Sequence, residues 1–287
     1  MIESIKNDLK FHIRHGGMTT KLLIANIGLF IVIMILRLIL FIGNGGQLPS
    51  FFGTIVNGLS LGNTWKLVLF RPWTLITHMF LHVGFFHLII NMLYLFWFGR
   101  VLENLMGERK ILNIYIISGL AGAVFFFIFS GFLYDGRVFA LGASAAVMGI
   151  ATATAAVVPD HVFQLLFIGR VKLKYIVLFL VLLDLILIPA MSNSGGHVAH
   201  LGGAMMGLIY IRLLYRGIDL GEINFRPHMK RPKFDVYVNR DKKAAEKPRN
   251  PSDTQARVDA ILDKIRDSGY ESLTKEEKDF LYEASKK

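Results

Sequence analysis

Along this chain, apolar stretches of roughly membrane-spanning length alternate with short connectors rich in Gly, Ser and basic residues. Crossing ~30 Å of hydrocarbon at ~1.5 Å per residue takes roughly 20 apolar residues. The pattern predicts six helices at that depth, over about Lys21–Gly43, Phe85–Phe98 (entered through "THMFLHVG"), Ile111–Phe132, Gly142–Val158, Tyr175–Ala190 and His197–Tyr215. The fourth and fifth are short, which suits helices enclosed by a bundle better than helices facing lipid throughout. The connector from Asn44 to Trp73 is long without being polar. It is expected to lie in the membrane interface, with Trp65 and Trp73 as anchors.

After Tyr215 the pattern changes. Residues 216–251 form a basic linker whose "RPHMKRPKF" suits anionic lipid headgroups. Residues 252–287 read as a small helical hairpin: Val258, Ile261, Leu262 and Ile265 share a face, Gly269 is a stop, and "TKEE" (Thr274 to Glu277) is a capping box. So small a hairpin buries little core of its own and is expected to dock on a cytoplasmic partner. The chain thus divides into an N-terminal segment 1–20, a membrane domain 21–215, the linker and the hairpin.

Charge gives the orientation. Lys6, Lys10, Arg14 and Lys21 precede the first helix; Arg100, Arg109 and Lys110 follow the second; Arg170, Lys172 and Lys174 follow the fourth. The opposite connectors carry only Lys66, Arg71 and Arg137. By the positive-inside rule both termini are cytoplasmic, and helices 2, 4 and 6 start on the outer side. Composition agrees: the chain is 53% hydrophobic with a mean hydropathy of +0.48, too apolar for a soluble domain of this length. Because the net charge of +11 sits in connectors and tail, it calls for no nucleic-acid partner. The absence of cysteine excludes disulfides, thiolate metal sites and a cysteine nucleophile. The first twenty residues hold no continuous apolar core, so a cleaved signal peptide is not expected.

Against this background a few polar residues stand out. "ALGASAAVMGI" places Ser144 among small residues at the start of helix 4. In an apolar helix a serine is ordinarily packing filler. Here, however, helix 6 opens with "GGHVAHLGGAMMG", where His200, Gly203 and Gly207 share a face and the two glycines form a seam for close helix approach. Ser144, Met148, Ala151 and Ala155 form a matching small-residue face on helix 4, so packing 4 on 6 brings Ser144 and His200 together at their outer ends. Serine beside histidine is the minimum for an activated nucleophile. His87 and Asn91, four apart on helix 2, add side-chain donors at the same depth, and Ser144 sits at a helix N-terminus whose free N–H groups favour an anion.

With these residues in place, the chain resembles the rhomboid family of intramembrane serine proteases. The resemblance rests on "HLIIN" in helix 2, "GAS" (Gly142 to Ser144), "AHLGGAMMG" in helix 6 and "ENLMG" (Glu103 to Gly107), in order and spacing across Lys21–Tyr215. It implies a Ser144–His200 dyad without a catalytic acid, an oxyanion hole from His87, Asn91 and the Ser144 N–H, and substrate entry governed by helix 5 and the outer loops. The sequence departs from the family pattern at Ala145, where glycine is usual, at Met148, where an aromatic ring often stacks on the histidine, and at Trp73-Thr74 in place of Trp-Arg. These departures bear on efficiency more than on mechanism.

The overall expectation is an all-α membrane protein, a six-helix rhomboid-like bundle with a cytoplasmic helical hairpin, in a bacterial cytoplasmic membrane. It would cleave transmembrane proteins near the outer leaflet without a cofactor. The alternative is a catalytically inactive relative that binds transmembrane clients; a transporter would need broken helices or paired midplane charges. No metal is expected: His78 with His82 and His197 with His200 have ligand spacing, but no acidic residue accompanies either pair in the sequence. His78 and His82 read as interfacial hydrogen-bonding residues, and His197 as facing the outer loop. Asp184, inside helix 5, is a costly intramembrane carboxylate with three readings: protonated, bonded to a neighbouring helix, or linked to gating.

Overall fold

A computed structural model describes residues 13, 16–165, 168–189, 193–221, 251–268 and 270–284. Four helices are long and apolar enough to cross a membrane: α1 (Met18–Gly43), α5 (Phe85–Met106), α6 (Glu108–Leu133) and α9 (Ser194–Tyr215). Two shorter helices occupy the fourth and fifth predicted segments, α7 (Ser144–Val157) and α8 (Leu173–Leu187). Each stops just ahead of a proline, Pro159 and Pro189, which fits the cost of continuing a helix into that residue. Of these two, α7 is buried almost all round, as a helix inside a bundle should be, but α8 is not enclosed as its length suggested: Leu178, Phe179, Leu182, Leu185 and Ile186 are exposed. By contrast, α1 leaves Ile31, Val32, Leu38, Ile39 and Ile42 exposed, an apolar face suited to lipid rather than water.

The connector before α5 is more structured than its pattern indicated. It holds three short helices, α2 (Ser50–Leu59), α3 (Trp65–Phe70) and α4 (Thr74–Thr77). A two-residue strand β1 (Leu61–Gly62) pairs antiparallel with β2 (Phe139–Ala140), just ahead of α7. Trp73 Nε1 donates to the Gly58 carbonyl at 2.9 Å, which ties this segment to itself. Between α7 and α8, β3 (Val162–Leu165) and β4 (Gly169–Lys172) form a hairpin. At its base Lys174 and Lys172 donate to Asp160, holding that carboxyl below its usual range.

Two of the motif residues in "ENLMG" prove architectural. Glu103 Oε1 accepts the Thr19 N–H at 3.1 Å, supplying a carboxylate to the N-terminus of α1, where four N–H groups lack helical partners. Gly107 has φ +83°, the left-handed conformation that lets α5 end and α6 begin one residue later. Further in, Tyr115 on α6 donates to the Met79 carbonyl at 2.8 Å, and Asn26 on α1 donates to the Tyr115 hydroxyl at 3.2 Å. Tyr115 is wholly buried, so Tyr115→Phe removes the donor to the Met79 carbonyl and leaves Asn26 Nδ2 with its Leu22 carbonyl bond alone, and should cost about 1–3 kcal/mol. Thermal unfolding in detergent would read this as a lowered midpoint without loss of the folded baseline.

The seam between α7 and α9 positions the site. A Cβ built on Gly203 would fall onto the Ala145 carbonyl oxygen, and one on Gly207 onto the Gly149 carbonyl oxygen. The helices therefore run parallel in backbone contact; Gly203 and Gly207 form the seam as expected on α9, but on α7 they meet Ala145 and Gly149, which the expected face of Ser144, Met148, Ala151 and Ala155 did not include. Thr152 Oγ1 donates across the seam to the Ala204 carbonyl at 2.8 Å. The same two α7 residues also meet α6: Ser118 lies against Gly149, and Gly122 against the Ala145 methyl and the Ala199 carbonyl of α9.

The last described residues form a separate unit. It consists of α10 (Pro251–Ser268) and α11 (Lys275–Ala284), joined by a short 3-10 turn and an ion pair between Lys264 and Glu277 at 3.0 Å. Thr274 and Glu277 exchange backbone–side-chain hydrogen bonds of 2.8 and 3.3 Å, the reciprocal pattern of a capping box. The N-terminal segment up to Lys10, the "RPHMKRPKF" stretch and Gly269 lie outside the described residues.

Candidate active site

Ser144 is the first residue of α7, and its placement begins with Gly142. That residue has φ +124°, and a Cβ there would come within 2.6 Å of the His87 ring. Only glycine satisfies both demands, so the chain turns into α7 directly beneath an imidazole. Two further backbone bonds fix the turn. The Gly142 N–H donates to the His78 carbonyl at 2.8 Å, and the Ala143 N–H donates to His82 Nε2 at 3.3 Å. With Val147 N–H already bonded to the Ala143 carbonyl, the N–H groups of Ser144, Ala145 and Ala146 are the first-turn donors that a helix cannot use itself.

His200 stands one turn before Gly203 on α9. Since Gly203 meets Ala145 in the parallel seam, His200 belongs to the end of that seam where Ser144 lies. The His87 ring lies against Gly142, with its centroid 5.2 Å from that of the His82 ring. A small cavity beside Ser144 is lined by His78, Phe126, Gly142, Gly196 and Ala199, among others. Among the described residues Ser144 Oγ makes no hydrogen bond, so Ser144 and His200 do not form a closed pair. A histidine able to take a proton and the free N–H groups of a helix N-terminus are the kinds of group that attack on a carbonyl by a serine requires.

Asn91 is buried on the same face of α5, but its amide nitrogen donates to the His87 carbonyl at 2.8 Å within its own helix. That bond leaves one amide hydrogen for another acceptor. Met148 is buried one turn past Ser144. The Ala145 methyl lies against Gly122 on α6, and Ala145 also lines the small cavity beside Ser144.

Several expectations need correction. His78 and His82 are buried within the protein, 5% and 0% exposed, and both hydrogen-bond: His78 Nδ1 lies 2.7 Å from the Thr74 carbonyl, and His82 Nε2 accepts the Ala143 N–H in the turn before Ser144. The sequence lacks an acidic neighbour for His197 and His200, yet the fold supplies one. Asp184 Oδ1 lies 2.8 Å from both His197 Nδ1 and His200 Nδ1. His197 is therefore engaged with α8 rather than turned to the loop. The three potential ligand atoms lie within 4.8 Å of one another, so the ground for excluding a metal at this pair no longer holds. Of the three readings of Asp184, bonding to a neighbouring helix is the one observed.

The sequence did carry a trace of that pairing. Asp184 lies one turn before the end of α8 and His197 one turn after the start of α9, with a short connection between them. Such positions lie at equal depth across a helical turn, and a carboxylate at membrane depth requires donors.

A rhomboid domain family model matches residues 69–217, which includes Ser144, His200, His87 and Asn91. The chain belongs to the rhomboid family. Rhomboid protease AarA of Providencia stuartii is 29% identical over 225 residues, covering 72% of this chain and 75% of that protein. Rhomboid protease GluP of Bacillus subtilis is 29% identical over 184 residues, 62% of this chain but 32% of the relative. The human presenilin-associated rhomboid-like protein, mitochondrial, is 28% identical over 176 residues, 58% of this chain and 43% of the relative. The chain thus spans about a third of the length of GluP and under half of that mitochondrial rhomboid. Residues 250–287 match a family of unknown function, DUF6576. Apolar spanning helices and family membership together make this a multi-pass membrane protein.

Proposed function

We propose that this rhomboid-family protein is an intramembrane serine endopeptidase that cleaves transmembrane proteins near the outer leaflet. The observation that supports the reading is the α7–α9 seam, in which Gly203 meets Ala145 and His200 falls at the Ser144 end, together with the His87 ring against Gly142 in the turn before Ser144. In this reading His200 Nε2 takes the Ser144 proton as Oγ bonds to the substrate carbonyl carbon. The oxyanion is held by the Ser144 N–H with His87 and Asn91. His200 then gives its proton to the leaving nitrogen as the C–N bond breaks. Water next attacks the ester carbonyl and loses a proton to His200, and the serine leaves reprotonated.

The protein would cross the membrane six times, with α7 as a short inner span, α8 as a short span bearing an exposed apolar face, and both termini cytoplasmic as the basic connectors indicate. A substrate helix must unwind to present a carbonyl, so a transmembrane segment containing helix-breaking residues near its outer end is the expected class. Co-reconstitution in liposomes with such a segment tests this. The wild type should produce two fragments cut in the outer half, and Ser144→Ala none. A folded wild type that retains the segment uncut would favour a client-binding role instead.

A further inference from the structure

Resemblance to rhomboid proteases implies a serine–histidine pair with no acid, but in this chain His200 has an acid. Asp184 on α8 meets His200 Nδ1 at 2.8 Å through Oδ1, and the same oxygen meets His197 Nδ1 at 2.8 Å. Asp184 is 7% exposed, inside a helix otherwise lined with Leu, Ile, Val and Phe. A carboxylate there is stable only with donors, and two ring N–H groups supply them.

We propose that Asp184 is a positioning residue for the catalytic histidine, making the site a Ser144–His200–Asp184 arrangement held across α7, α9 and α8. The inference rests on the reading of Ser144 and His200 given above. Its mechanism is tautomer selection. A neutral imidazole carries one ring proton, and an acceptor at Nδ1 places that proton on Nδ1. Nε2 is then left with a lone pair, the only state able to accept the serine proton. When His200 becomes doubly protonated during attack, the carboxylate offsets the new charge without itself taking the proton. His197 has a separate part: by donating to the same oxygen it keeps the carboxylate aimed at α9 and compensates its charge in apolar surroundings. Because the acid sits on α8 and the base on α9, separation of these two helices would break both bonds together.

Asp184→Asn is the discriminating change, being nearly isosteric. The amide can turn its NH₂ toward His200 Nδ1 and favour the Nε2–H tautomer, which cannot accept the proton. For cleavage of a reconstituted transmembrane segment, kcat should fall about a hundredfold or more with KM within about threefold, and Asp184→Glu should recover part of the loss. Nitrogen-15 NMR of histidine-labelled protein in lipid should show His200 protonated at Nδ1 and bare at Nε2. That signal needs no variant to fold and no substrate to be cut.

A variant Asp184→Asn within threefold of wild type, or wild-type His200 protonated at Nε2, would overturn the proposal. So would activity that a chelator removes and Zn²⁺ restores, since the three side chains would then be metal ligands. A wild type that neither cleaves nor reacts at Ser144 would instead sink the protease reading and the catalytic purpose of the pairing with it, even where the tautomer signal persists.

Discussion

His200→Ala is expected to lower kcat/KM for a transmembrane substrate by at least about a thousandfold, and Ser144→Ala by as much or more. The double variant should be no worse than the more damaging single one. This non-additivity is the informative part. If the imidazole acts only by taking the serine proton, then removing the serine leaves the histidine with nothing to do. A purely structural histidine would behave differently, with independent losses and a lowered unfolding midpoint in His200→Ala. The side chain of His200 is half-buried and its recorded hydrogen bond runs to Asp184, so the alanine variant should still fold. Cleavage rates for the two single variants and the double, each with an unfolding curve, give the answer.

The second large effect is mechanical. Gly203→Leu should abolish activity and destabilise the bundle by about 3 kcal/mol or more. The first added carbon already lands on the Ala145 carbonyl oxygen, a backbone atom that cannot rotate aside, and Gly202 and Gly207 are confined in similar ways by Phe125 and by the Gly149 carbonyl. The helices can relieve the clash only by moving apart, which pulls His200 away from the Ser144 turn. Gly28→Ala in α1 provides the contrast. Nothing lies within 4 Å of the new carbon there, and helix propensity alone predicts a gain of about 1 kcal/mol or less. If Gly203→Leu kept its unfolding midpoint and its activity, the close-packed seam could not be what assembles the site.

The parts of the fold that were legible in the sequence are those with a repeating cause. Long apolar runs announced α1, α5, α6 and α9, and the four-residue spacing of Gly203 and Gly207, with His200 one turn earlier, announced a close seam with α7. The Ser144 turn was legible for a similar reason, since glycine followed by small residues at a helix start leaves few other packings. What did not show was anything decided by a single cross-chain contact. A two-residue pairing between Leu61–Gly62 and Phe139–Ala140 has no periodicity to betray it. Glu103 resembles any charged residue near a helix end until the α1 N-terminus is placed beside it. The partner of His82 leaves no mark in the sequence because it is a backbone N–H, which every residue but proline possesses. Asp184 was visible as an anomaly, but its partners depended on how α8 and α9 face one another.

Labelling of the membrane-embedded protein with a fluorophosphonate probe tests the central claim most directly, because it asks whether Ser144 is activated without requiring a known substrate. The wild type should be modified at Ser144, with no label on Ser144→Ala and little on His200→Ala. A folded wild type that stays unmodified, or that carries label undiminished in His200→Ala, would contradict the account.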